Sequence, residues 1–366
     1  MTENKKRKST MKILLILLVS IVICLCFGIA IATFLFVQSR GSKSEEVRPI
    51  PQPDISITAS TIDQVNKLTC IPQGGYVYDV AWSPDSKILA AASSESVKLW
   101  DSVTGNNIHI FEQSGIRYLE FSQDEEMLVS RGDAGIKVWN VKDKVELINL
   151  PINRQIGLPL VSISPDSRIL AYNYKNQVFL LELPFGNLLE TLDYSSTARD
   201  LEFLRNGSLL IAIVEKKPDK SFITTYIIYD IQSQQELKIL ERQSILDTIA
   251  LSLDGKRLAI AENVLRILDL ESGEEIQSLE NFRFGIPGFG FSPDGSVLAA
   301  GEGIGFEVAS PSKLRLFNVT TGSEVPMLEG HEGVILEVAF SPDGRFLATA
   351  SEDKTVCLWG ISPGYE

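Results

Sequence analysis

The chain has 366 residues, 44% hydrophobic and 22% charged, with 47 acidic against 34 basic residues and a net charge of −13. Such acidity repels phosphate backbones, so nucleic acid is excluded as an expected partner. Four cysteines are too few for a disulfide framework, and two histidines without metal-ligand spacing give catalysis or a cofactor little to build on.

Residues 1–12 form a basic terminus containing Lys5, Lys6, Arg7, Lys8 and Lys12. From Ile13 to Val37 no residue is charged. A helix of that length reaches about 37 Å and crosses a bilayer core of about 30 Å, so a single transmembrane helix is predicted over 13–37. The alternative, a cleaved signal peptide, has a shorter apolar core and a small-residue cleavage site. Nor does Cys24 or Cys26 follow the small residue that a lipoprotein signal needs. Beyond the span, Arg40, Lys43 and Arg48 are diluted by Glu45 and Glu46. The more basic side stays cytoplasmic, so we expect a single-pass membrane protein with everything after residue 37 outside the cytoplasm. The first 38 residues carry five basic and one acidic side chain, which leaves −17 on the remainder. Residues 38–56 read as a linker. Its Pro49, Pro51 and Pro53 favour extended polyproline backbone, with a reach of about 50 Å at about 3.1 Å per residue.

Residues 57–366 carry a recurring phrase. Ser83-Pro84-Asp85-Ser86 returns as Ser122-Gln123-Asp124-Glu125, Ser164-Pro165-Asp166-Ser167, Leu204-Arg205-Asn206-Gly207, Ser252-Leu253-Asp254-Gly255, Ser292-Pro293-Asp294-Gly295 and Ser341-Pro342-Asp343-Gly344. Successive spacings are 39, 42, 40, 48, 40 and 49 residues. Pro presets φ, Asp or Asn bonds back to the backbone and Gly tolerates positive φ, so each phrase is a tight turn. Apolar runs flank it, as in Val77–Trp82 and Ile88–Ala92, and predict a β-hairpin. A third strand ends in an aromatic or Leu and a polar residue, as in Leu99-Trp100-Asp101 and Val138-Trp139-Asn140. Thr104-Gly105, Ser272-Gly273 and Thr321-Gly322 then turn into a fourth strand. A period of about 40 to 45 residues with four strands is a propeller blade.

With these residues in view, the chain resembles the WD40-repeat β-propellers over roughly residues 57–362. The likeness is strongest in the last repeat, from Gly330-His331 through Ser341-Pro342-Asp343-Gly344 to Leu358-Trp359. The expected fold is all-β, a seven-bladed WD40-type propeller preceded by one transmembrane helix. The resemblance implies a hydrogen-bonded tetrad of His331, Thr349, Asp353 and Trp359 in that repeat. Asp133 and Trp139 share the offset in the second repeat, where no His or hydroxyl partner is apparent. The other blades are expected to hold together by apolar packing between neighbouring sheets.

The last repeat ends after its third strand, and Gln64–Ile71 lies ahead of the first repeat in fourth-strand position. We expect the N-terminal strand to close the ring. Cys70 would then lie on the closing strand and Cys357 on its partner. A disulfide there would staple the ring in an oxidising compartment. Two free thiols are the favoured reading, because strand position alone gives neither register nor facing.

No Gly-x-Ser-x-Gly elbow occurs, and the Gly-rich run at Gly301–Gly305 is followed by no helix that could hold a phosphate. Candidate binding loops are two insertions between second and third strands. One carries Lys216, Lys217, Pro218 and Asp219; the other carries Ile304, Phe306, Glu307 and Pro311. In the family such loops open on one face, the top. Two functions are therefore expected, in order. The first is a membrane-anchored extracytoplasmic scaffold for one or more protein partners that the sequence does not identify. The second is a ligand-sensing or enzymatic propeller with its site at the channel mouth. Three or more carboxylates clustered at that mouth, or a bound metal, would move weight to the second.

Overall fold

The computed structural model describes residues 49–151, 159–243, 248–262, 264–280, 282, 286–302 and 312–362. The expected membrane span at 13–37, the linker up to residue 48, and Ile304, Phe306, Glu307 and Pro311 lie outside them. Among the described residues no helix is long and apolar enough to cross a membrane.

A 3₁₀ turn at Ile62–Gln64 leads into β1 (Asn66–Pro72). Blade 1 comprises β2 (Val77–Trp82), β3 (Ile88–Ser93), β4 (Val97–Asp101) and β5 (Asn107–Phe111). Blade 2 comprises β6 (Ile116–Phe121), β7 (Met127–Gly132), β8 (Gly135–Asn140) and β9 (Val145–Leu150); blade 3, β10 (Val161–Ile163), β11 (Ile169–Tyr174), β12 (Gln177–Glu182) and β13 (Asn187–Asp193). Blade 4 comprises β14 (Ala198–Phe203), β15 (Leu209–Lys216), β16 (Phe222–Asp230) and β17 (Gln235–Arg242); blade 5, β18 (Thr248–Leu251), β19 (Arg257–Ala261), β20 (Leu265–Asp269) and β21 (Glu275–Leu279). Blade 6 comprises β22 (Phe289–Phe291), β23 (Val297–Gly301), β24 (Lys313–Asn318) and β25 (Leu328–Glu329), and blade 7 contributes β26 (Ile335–Phe340), β27 (Leu347–Ser351) and β28 (Thr355–Gly360). Six sheets run in sequence order; the seventh runs β1-β28-β27-β26. The first strand of each blade touches that of the next, and β26 touches β2, so seven blades close a ring.

Each recurring phrase is the first turn of a blade. Its fourth residue has positive φ in all seven, from 60° at Ser167 to 86° at Gly207. In the six phrases that contain Ser and Asp, the Ser hydroxyl donates to the Asp carboxylate at 2.5–2.7 Å. In the fourth phrase Asn206 Oδ1 instead accepts from Ser208 N at 3.0 Å. The core is distributed between blades rather than within them. Seven apolar clusters each join residues of two adjacent blades, as where Leu99 and Phe111 meet Ile116 and Leu128. Nearest-neighbour interfaces of this kind dominate the stability of repeat rings.

Closure is by β1, which pairs antiparallel with β28 from Asn66↔Gly360 to Pro72↔Thr355. Cys70 and Cys357 are register partners with Cα atoms 4.0 Å apart, and a disulfide joins them. The favoured reading of two thiols is therefore corrected: β-pairing supplies the register and facing that sequence position could not.

The packed domain also begins earlier than expected. Residues 49–56, read as linker, lie as a strap across the end of the ring that carries the first turns. Ile50, Pro53 and Ile57 are buried. Ile50 N donates to Val103 O, Gln52 Nε2 to Ser102 O, Ile57 N to Gly344 O and Ala59 N to Ser296 Oγ. Ile50 fills the groove between blades 7 and 1, while Ile57, Ile62 and Val65 fill that between blades 6 and 7. The alternating prolines do favour an extended chain; the apolar residues between them decide that it docks.

Candidate functional site

The expected tetrad residues of blade 7 meet in one chain of hydrogen bonds. Trp359 Nε1 donates to Thr349 Oγ1 at 2.9 Å, Thr349 Oγ1 lies 2.6 Å from His331 Nε2, and His331 Nδ1 lies 2.7 Å from Asp353 Oδ2. Burial opposes ionisation of Asp353, but hydrogen bonds from His331 and Thr355 hold its carboxyl well below the usual range. Trp359, Thr349 and His331 are buried, so this cluster ties β27, β28 and their turn to the segment ahead of β26 and offers nothing to a ligand.

Blade 2 corrects the expectation that it has no hydroxyl partner. Trp139 Nε1 donates to Ser130 Oγ at 2.8 Å, and Ser130 donates to Gln113 Oε1 at 2.7 Å. Gln113 takes the place of the histidine. The β7–β8 turn is one residue tighter, which moves the hydroxyl one position closer to the Trp in sequence. Blade 1 uses Gln73 directly, its Oε1 accepting from Trp100 Nε1 at 3.2 Å. In blade 6 the buried Arg315 pairs with Glu324 at 2.7 Å and stacks on Phe282 and Phe317. Apolar packing between sheets is thus supplemented by a different polar group in each of these blades.

The insertion at 215–221 lengthens the β15–β16 hairpin. Lys217 N donates to Ser221 O at 2.8 Å and Lys217 Nζ pairs with Glu215 at 2.9 Å. Ser195 donates to the same Glu215 carboxylate. Lys216, Pro218 and Asp219 are exposed at or beside its tip. His109 lies half-buried on β5 with its ring edge-on to Phe111.

The feature that sequence reading could not place lies at the mouth of the central channel, at the end opposite the strap. The first strands of blades 1, 2, 4 and 7 each carry a bulge, before Asp79, Tyr118, Asp200 and Glu337. These are the residues four positions ahead of each turn phrase, and the bulge turns them to the lumen. Two positions further on, Glu120 and Glu202 join them. Together with Arg117 and Arg131 they line a cavity of about 430 Å³. A second cavity, of about 450 Å³ at the turn-bearing end of blades 2–5, shares Glu120 and Glu202 with it.

These carboxyls also link blades. Asp79 accepts from Val80 N and from Leu119 N of blade 2, both at 2.6 Å. Glu120 accepts from Ile163 N of blade 3 at 3.1 Å and from Tyr118 Oη at 2.9 Å. Asp200 accepts from Ile249 N at 2.9 Å and Thr248 Oγ1 at 3.1 Å, both in blade 5. Gly288 has no room for a Cβ, which would sit 2.6 Å from Glu337 Cα, so blades 6 and 7 approach closely there. Arg131 Nη1 donates to Pro159 O at 2.8 Å while its guanidinium lies over Tyr118, and Arg117 covers Tyr78.

Five carboxyls against two guanidiniums in a narrow lumen cannot all remain ionised. Burial pushes Asp79 up to about 7, against its backbone donors and Arg131, and pushes Glu120 up to about 8. Burial likewise raises Asp200, Glu202 and Glu337, the last two further because of neighbouring carboxylates. The lumen can therefore exchange protons near neutrality and present acceptors to a polar or cationic group. No group of His, Cys, Asp and Glu among the described residues has a metal-ligand arrangement.

Comparison with known proteins agrees with this architecture. The family model "WD domain, G-beta repeat" matches residues 65–101, 105–140 and 322–360. The serine-threonine kinase receptor-associated protein of Gallus gallus is 21% identical over 238 residues, and that of Homo sapiens 24% over 239, each covering 64% of this chain. The chain spans 66% of the length of these relatives. The small ribosomal subunit protein RACK1 of Brassica napus is 32% identical over 81 residues, 22% of this chain and 25% of that protein. The chain thus carries WD40 repeats on a seven-bladed β-propeller.

Proposed function

We propose that this propeller is a protein-interaction scaffold, tethered to a membrane through residues 13–37 and displayed on the extracytoplasmic side with its channel mouth facing a partner. The observation that carries the reading is the strap. The N-terminal chain joins the ring at the turn-bearing end, so the channel mouth and the β15–β16 hairpin stand at the free end. Residues 38–48 would add a reach of roughly 34 Å if extended. The basic residues before the span support the orientation, and the disulfide supports an oxidising compartment. Relatives named for association with a receptor or a ribosomal subunit support a role in binding proteins, as does the scarcity of catalytic groups.

A photocrosslinking residue at Asp219 tests this against one at Val103, on the strap side. Partners should attach through position 219 and not through 103; equal capture at both would refute the presentation of one face. In intact cells, external protease should degrade the propeller, and its protection would refute the topology. A second reading, a small-ligand sensor, is favoured by the five carboxyls and two guanidiniums around the 430 Å³ cavity. It predicts that Glu202→Gln abolishes ligand binding while partner crosslinking at 219 persists.

A further inference from the structure

We propose that the Cys70–Cys357 bond is a thiol-exchange site, at which a dithiol reductant unlocks the seam of the ring. The two sulfurs are unequally placed. Cys357 is fully buried, whereas Cys70 is partly exposed on β1, the outermost strand of its sheet, with Asn66, Lys67 and Pro72 exposed on the same strand. Cys70 packs partly against the apolar cluster between blades 6 and 7 yet is the sulfur-bearing residue nearer the surface, so the exchange has the incoming thiolate attack Cys70 Sγ and expel Cys357 Sγ inward.

The leaving sulfur is received by polar groups. His331 Nδ1 lies 3.6 Å and Thr355 Oγ1 3.7 Å from Cys357 Sγ; both bond Asp353 at 2.7 Å in the oxidised protein, so a developing thiolate is received when one of these donors turns from Asp353 to the sulfur. Stabilising the leaving thiolate speeds exchange. In the first step the attacking sulfur bonds Cys70 Sγ, the cystine bond breaks and its electron pair departs on Cys357 Sγ. In the second, the other thiolate of the dithiol attacks its partner sulfur and releases Cys70. Two electrons have passed from the dithiol, which becomes a disulfide, and two protons are taken up by the cysteines.

What the exchange controls follows from topology. Every other strand pair joins neighbours in sequence, while the bond spans 287 residues. It is the covalent lock on the one pairing that makes the ring a ring, and it sits on the strand that continues from the strap. The inference rests on the disulfide and its surroundings, not on the tether.

The test uses the full chain in detergent, with Cys24 and Cys26 replaced by Ser. Reduction by dithiothreitol, followed by acid quench, alkylation and mass measurement, should proceed at a rate proportional to reductant. The melting temperature should fall by roughly 5–15 °C on reduction. In the folded Cys357→Ser variant, dithionitrobenzoate should label Cys70 at least tenfold faster than it labels Cys357 in Cys70→Ser. Proteolysis of the reduced wild-type protein should begin between residues 49 and 76, a readout that needs no variant to fold. A rate that saturates at the unfolding rate, faster labelling of Cys357, or an unchanged melting temperature would each overturn the proposal.

Discussion

Starting the chain at Tyr76 instead of Asp54 removes β1 and what remains of the strap, and its cost can be worked from what those segments bury. The shortened chain loses Ile57, Ile62, Val65 and Ile71, all buried, the first only 1% exposed. At about 2 kcal/mol for each large aliphatic side chain the loss is on the order of 8 kcal/mol, an upper figure because unfolded chains are partly compact. The disulfide closing 287 residues adds about 6 kcal/mol in the loop-entropy account. The total rivals the whole stability of a typical domain, about 5–15 kcal/mol. The chain beginning at Asp54 loses Ile50 and Pro53 of the buried residues, about 3 kcal/mol together. Thermal melts followed by circular dichroism should therefore show a cooperative transition for the Asp54 chain and a broad, early or absent one for the Tyr76 chain. Equal melting temperatures would refute closure by β1 as the determinant of the ring.

Three further outcomes follow from individual contacts. Burial pushes Asp79 up to about 7 and Glu120 up to about 8 from 3.8 and 4.5, so the folded state holds protons that the unfolded state has already released. That contribution is complete below about pH 4 and lost as pH rises through 7 to 8, so the urea midpoint should fall between pH 5 and 9 and Asp79→Asn should flatten part of the slope; a rising profile contradicts the assignment. Thr349→Val leaves Trp359 Nε1 and His331 Nε2 without their buried partner and should cost about 2–5 kcal/mol in denaturant titration, whereas a loss under about 0.5 kcal/mol would deny the tetrad a structural role. Ser130→Ala should cost about 1–3 kcal/mol by the same measurement, and a neutral result would mean that Gln113 and Trp139 find other partners.

Much of the ring is legible residue by residue. The Ser-Pro-Asp-Gly phrases carry their own turn chemistry: a Ser hydroxyl on an Asp carboxylate and a residue with positive φ, all within four positions. His331, Thr349, Asp353 and Trp359 could be named because the last repeat resembles a well-formed WD40 repeat, and that resemblance implies the tetrad at these positions. Ser130 and Gln113 were missed because Gln replaces His and the turn is one residue shorter. The luminal carboxyls do occupy fixed places, four and two residues ahead of the phrase, so position was readable. What those places face was not.

Local turn geometry and a repeat near forty residues were enough for sequence alone to determine the blades and their number, since these depend on neighbours in the chain, and the closing strand was legible only by its place ahead of the first repeat, its partner lying at the far end of the sequence. Tertiary structure alone decided that Asp79, Glu120, Asp200, Glu202 and Glu337 share one lumen, that Ile50 and Ile57 pin the strap, and that Cys70 bonds Cys357. In each case the energy comes from groups far apart in sequence, brought together only when seven sheets converge on an axis.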